Sequence, residues 1–115
     1  MRRLGLLAFV ALLLACSADE ASDPASALAK RGEQVYLANC SACHALDPAQ
    51  AGPVGPPVAG ASLALLEAKV LRNEYPPGYT PQRDTKAMIP LVHLAPELPA
   101  LAEFLGSKGP RSAQR

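Results

Sequence analysis

The sequence predicts an all-α fold, on three observations. Apolar residues recur at helical spacing in three separate segments: one ahead of residue 40, one over 62–73 and one over 99–106. No stretch shows sustained period-two alternation. The joints, "DPAQAGPVGPPVAG" and "EYPPGYTPQRD", are rich in proline and glycine and exclude regular structure. A chain of 115 residues has room for one small domain, and no internal repeat divides it.

The first fifteen residues stand apart from that domain. Arg2 and Arg3 give a positive start, and Leu4 to Leu14 form an unbroken eleven-residue apolar run. That is the length of a secretory h-region and short of the roughly 20 apolar residues that span a bilayer. The double arginine lacks the surroundings of a twin-arginine export signal, so general secretion is expected.

The run ends in Leu13-Leu14-Ala15-Cys16, which resembles a bacterial lipobox. The resemblance implies that residues 1–15 are removed and that Cys16 carries lipid. The alternatives are a buried thiol at Cys16, or ordinary cleavage after Ala18, which would discard Cys16. Several acyl chains, at about 0.8 kcal/mol per buried methylene, anchor a small domain stably. Residues 16–27 then serve as lipidated N-terminus and tether, 28–109 as the domain and 110–115 as a tail. The acidic stretch "SADEASD" has a flexible-chain span of about 15 Å, so the domain stays near the membrane surface.

Composition removes several function classes. The chain has 11 Lys+Arg against 10 Asp+Glu, and loss of Arg2 and Arg3 leaves a net charge of −1. With no basic stripe and no tryptophan, nothing points to nucleic acid. A domain of this size makes a thin core and ordinarily needs a staple. If Cys16 carries lipid, Cys40 and Cys43 are the only free cysteines left, in an oxidising compartment.

The first helix is predicted to start at Asp23-Pro24, a capping residue followed by a proline suited to the first turn. Leu28, Gly32, Val35, Tyr36 and Asn39 follow its period, and it runs straight into "NCSACHA". The second covers Ser62 to Asn73, with Leu63, Leu66 and Val70 on its apolar face and Glu67 and Lys69 facing away. The third is "PALAEFLG", with Pro99 in its first turn, Gly106 as its stop, and Leu101, Phe104 and Leu105 buried.

Cys40-Ser41-Ala42-Cys43-His44 carries the chemistry. Cys-x-x-Cys-His is the haem-attachment signal: two thiols add to the two haem vinyl groups, and the adjacent histidine is held beneath the iron. Two rivals share its opening. A dithiol redox motif requires a thioredoxin-like βαβ frame, for which no strands are evident. A zinc site requires four ligands, and Cys43 with His44 as neighbours, plus a distant His93, make an awkward set.

From Lys30 to Gly106 the chain resembles a class I monohaem c-type cytochrome. Gly32 and Tyr36 fit that family's first-helix Gly-x-x-x-aromatic pattern, and Phe104-Leu105 fit the aromatic-aliphatic pair on the last helix. "GPPVAG", Gly55 to Gly60, matches its Gly-Pro-x-apolar-x-Gly segment at the right offset from His44. The resemblance implies three to four helices wrapped around one haem c, attached through Cys40 and Cys43. It implies further that His44 is one axial ligand, its Nδ1 hydrogen-bonded to the Pro56 carbonyl beside Gly55, so that Nε2 is left for iron.

The family supplies its second axial ligand from a methionine just before the last helix, which here is Met88 in "KAMIPLVHL". An isolated methionine is ordinarily a core residue; the position is what assigns it. Where relatives often have proline next, this chain has Ile89 before Pro90. His93 is the runner-up ligand. Tyr75 and Tyr79 fall where such cytochromes place donors to the haem propionates, with Arg83 and Lys86 as weaker candidates, since the family's tryptophan is absent.

The resemblance implies a one-electron carrier and no enzyme. Its partners would be membrane or periplasmic oxidoreductases, on the periplasmic side of a bacterial membrane. Ser17 after Cys16 slightly favours the outer membrane. A haem sensor or small-ligand enzyme is the alternative, and would require Met88 to detach.

Overall fold

The computed structural model describes residues 23–83 and 85–110. The signal segment 1–15, Cys16, the first part of the tether and residues 111–115 lie outside them. Among the described residues there are four α-helices, α1 (Pro24–Asn39), α2 (Ser41–His44), α3 (Leu63–Arg72) and α4 (Leu98–Lys108), one 3-10 helix (Val92–Glu97) and no strand. None of these helices is long and apolar enough to cross a membrane.

Helix α1 begins at Pro24, whose fixed φ suits a first turn, so residues 24–27 of the expected tether are already helical. Asp23 stands at the N-cap, but its side chain makes no capping hydrogen bond. Gly32, Val35 and Tyr36 are the buried stripe, while Leu28 at the predicted start of that stripe is 41% exposed. The helix runs directly up to the cysteine cluster, as expected, and breaks at its first residue. Cys40 leaves helical geometry (φ −121°), its N–H still donating to the Tyr36 carbonyl at 2.8 Å. The single turn α2 follows and stops at Ala45, with φ +74°.

The bounds of α3 are set by its caps. The Ser62 hydroxyl accepts from the Leu65 N–H at 3.2 Å, and Asn73 closes the helix in the left-handed region (φ 54°), a conformation asparagine tolerates. Leu66 and Val70 are buried as expected, but Leu63, in the first turn, is 39% exposed. The 3-10 helix, which periodicity did not reveal because Pro96 interrupts it, buries Leu94 and leads directly into α4. That last helix passes through Gly106 and ends at Gly109. Glycine inside a helix costs only about 1 kcal/mol, and contacts outweigh it: the Leu105 carbonyl accepts from the Gly60 N–H at 2.7 Å, and a Cβ on Gly109 would stand 2.7 Å from Gly60 Cα.

The core forms where α1 crosses α4. Tyr36, Leu98, Leu101 and Leu105 are its most deeply buried large side chains, and the Tyr36 and Phe104 rings pack at 5.6 Å, tilted by 49°. Each such side chain contributes about 1.5–3 kcal/mol by burial. Arg31 on α1 pairs in bidentate fashion with Glu97 at the end of the 3-10 helix, Nε donating to Oε2 at 3.0 Å and Nη2 to Oε1.

Candidate functional site

Between these elements lies a cavity of about 410 Å³, the size of a small-ligand or cofactor site. Cys40, Cys43 and His44 line it from the α1–α2 junction, Leu65, Leu66, Lys69 and Val70 from one face of α3, and Leu101 and Leu105 from α4. The long loop after α3 closes the remainder with Tyr75, Tyr79, Arg83 and Met88.

The cysteine–histidine turn is held from two sides. From α1, the buried Tyr36 hydroxyl donates to the Ala45 carbonyl at 2.7 Å, with the His44 carbonyl at 3.3 Å. From the proline-rich loop, Gly55 N–H and Val54 N–H donate to the Cys43 carbonyl at 2.8 and 3.3 Å. His44 Nδ1 lies 2.9 Å from the Pro56 carbonyl oxygen. A carbonyl only accepts, so in this bond Nδ1 carries the proton and Nε2 keeps its lone pair. Gly55 makes the approach possible: a Cβ there would stand 2.9 Å from His44 Cγ and nearer still to Nδ1.

No disulfide joins Cys40 and Cys43. Burial, with Cys43 nearby, pushes the Cys40 thiol up to about 11, so it stays protonated at neutral pH. A thiol held neutral is poorly suited to dithiol exchange, where the thiolate attacks. Among the described residues no group of three or more His, Cys, Asp or Glu stands close enough to hold a metal ion, so a zinc site has no ligand set there.

The structure brings Cys40, Cys43, His44, Gly55, Pro56, Tyr75, Tyr79, Arg83 and Met88 to one cavity; His93 and Lys86 do not line it. His93 is exposed on the 3-10 helix. Tyr75 and Tyr79 stack on each other at 5.3 Å, nearly parallel, each 37% exposed. Arg83 Nη1 donates to the Val54 carbonyl at 2.8 Å and Gln82 Nε2 to the Pro57 carbonyl at 3.1 Å, strapping the long loop over the proline-rich one. Lys69 does not face away as predicted. It sits on the cavity side of α3, its ammonium 2.7 Å from Asn73 Oδ1 and 4.3 Å from the Tyr75 ring centre. Its spacing from Leu65 and Leu66, at i+4 and i+3, is the signal that could have found it.

This lining suits haem. Most of it is apolar, as a macrocycle requires, and one end offers two thiols and an imidazole while the loop offers a thioether. The family sequence model described as Cytochrome c matches residues 29–107. The chain belongs to the cytochrome c family. It is accordingly a haem-binding electron-transfer protein, and membership implies covalently bound haem c. No curated protein and no solved structure matches the chain. The helices and loops around the cavity are therefore those of a small cytochrome c fold.

Proposed function

We propose that the protein carries a single haem c, joined to Cys40 and Cys43 with His44 and Met88 as axial ligands, and that it works as a lipid-anchored one-electron carrier. The observation that supports this best is the His44–Pro56 hydrogen bond, which frees Nε2 within a cavity that Cys40, Cys43 and Met88 also line. When bound, haem c supplies a one-electron Fe(III)/Fe(II) couple.

The chain's own residues do the rest. Pro56 fixes the His44 ring and its tautomer through Nδ1, and the ring's orientation stays set because the turn bearing it is tied to Tyr36 and Gly55. Met88 provides a thioether, and a histidine–methionine pair favours a higher potential than two nitrogens. Apolar side chains from α3 and α4 exclude water. Tyr75, Tyr79 and Arg83 line the cavity and would be the partners of the haem carboxylates.

The remaining parts of the proposal concern place and partners. Lipid on Cys16 tethers the domain to the periplasmic face of a bacterial membrane, the outer membrane favoured by Ser17. There it exchanges electrons with membrane or periplasmic oxidoreductases, helped by raised effective concentration. The equal numbers of Lys+Arg and Asp+Glu over residues 28–109, seven of each, leave electrostatic steering a small share.

The test is an optical spectrum of protein matured in a host able to attach haem c, oxidised and reduced, with and without carbon monoxide. A covalent low-spin haem indifferent to carbon monoxide is expected. Ready displacement by carbon monoxide would make Met88 labile and favour a ligand sensor, and a protein without haem would overturn the proposal.

A further inference from the structure

We infer that Lys69 is a fixed positive charge in the cavity wall that raises the reduction potential of the bound haem. The inference rests on the haem reading above and concerns what sets the working range of this chain.

Four residues of α3 line the cavity, and Lys69 is the exception among Leu65, Leu66 and Val70. Long lysine side chains ordinarily carry their charge out to water. This one is held back instead. Its ammonium donates to Asn73 Oδ1 at 2.7 Å and lies 4.3 Å above the Tyr75 ring, two contacts that act together on one rotamer. Both partners are themselves fixed. Asn73 is the left-handed cap of α3, its N–H bonded to the Ala68 and Lys69 carbonyls, and Tyr75 is stacked on Tyr79.

Among the described residues, the charge that lines the cavity is one-sided. Lys69 and Arg83 line it, and no described carboxylate does. Glu67, two positions from Lys69, is exposed and does not line the cavity, and Glu74 is engaged with Arg72 on the exposed surface. A cationic wall of low polarity matches a ligand that carries carboxylates. It also acts on the iron: reduction adds one electron and lowers the net charge of the centre by one. A positive charge held nearby therefore favours Fe(II) over Fe(III), and more so in apolar surroundings than in water. Arg83 shares its charge with the Val54 carbonyl as part of the loop strap, whereas the Lys69 ammonium is held by the Asn73 side chain and the Tyr75 ring.

A charge series at this position tests the inference on the full matured chain, with the midpoint potential measured by spectroelectrochemical titration at constant pH and ionic strength. Lys69→Arg should keep the wild-type potential. Lys69→Met should shift the Fe(III)/Fe(II) equilibrium toward Fe(III) by up to about tenfold, or about 59 mV for one electron. Lys69→Glu should move it further in the same direction. Potentials that ignore the series, or that fall in Lys69→Arg as far as in Lys69→Met, would overturn the role assigned to Lys69 while leaving the haem and its spectrum intact. Failure of the wild-type chain to take up haem at all would overturn both this inference and the reading it rests on.

Discussion

Gly32 and Ala100 meet backbone to backbone. A Cβ on Gly32 would stand 2.6 Å from the Ala100 carbonyl carbon, nearer still to its oxygen, and 2.8 Å from Phe104 Cβ. Helices α1 and α4 therefore cross at a distance that only glycine permits, and the side chains around the crossing, Tyr36 and Phe104 among them, depend on that distance. Gly32→Ala should destabilise the haem-loaded protein by about 3 kcal/mol, the upper range for overpacking, because the obstacle is backbone and cannot turn aside. Urea unfolding followed by far-UV circular dichroism reads this directly; an unchanged midpoint would mean that the helices can separate freely.

Gly55 plays the corresponding part at the histidine. Gly55→Ala puts a methyl against the His44 ring and should push it off the Pro56 carbonyl. With its orienting partner lost, a metal-binding histidine typically weakens by about 10–100-fold. The expected result is a mixed- or high-spin optical spectrum with the covalent haem retained. A fully low-spin spectrum would contradict it.

The Tyr36 hydroxyl bonds the Ala45 carbonyl from a fully buried position. Tyr36→Phe keeps the ring contact with Phe104 but leaves that acceptor without its donor, a loss of about 1–3 kcal/mol. Burial, with smaller contributions from Cys40 and Asp47, pushes the hydroxyl up to about 12 from 10.0. The folded state thus holds its proton longer than the unfolded one. Stability from this group is complete below pH 10 and is lost as pH rises toward about 12. Tyr36→Phe should be less stable at neutral pH and should lose this alkaline slope; chemical denaturation at pH values from 8 to 12 measures both.

The Arg31–Glu97 pair predicts the opposite slope. The hydrogen bond from Arg31, and then its charge, hold the Glu97 carboxyl below its ordinary value of 4.5. Its contribution is complete above that value and is lost as pH falls through the depressed one. Because the pair is exposed, the effect is small and screened by salt. Melting temperatures of wild type and Glu97→Gln should converge as pH drops from 6 to 3, and a constant gap would assign no pH-dependent role to the pair.

Much of this was legible in the sequence because it rests on local rules. Caps and prolines mark α1, α3 and the start of α4, and the Cys-x-x-Cys-His motif with its offset to "GPPVAG" picks out the turn and loop that meet at His44. What stayed hidden depends on contacts between distant segments. The break at Cys40 comes from the hold of Tyr36 and Gly55 on either side of the cluster, and helical period alone carries no sign of it. Gly106 reads as a stop, yet the actual end is fixed by Gly60 from another loop. Lys69 reads as solvent-facing because it is charged, and only the positions of Asn73 and Tyr75 reveal otherwise.

The crossing of α1 and α4 also bears on when the chain can fold. Arg31 and Glu97, which join the two ends of the domain, are 66 positions apart, and the partners that cover Gly32 and Tyr36 lie near the end of the chain. A growing polypeptide that has not yet reached α4 lacks the partners that bury most of the first helix's apolar stripe, and loop closure over such a distance is repaid only once they arrive. The domain would therefore remain open until the last helix arrives, and the turn that carries both thiols and His44 would gain its final surroundings, Leu101 and Leu105 among them, only then.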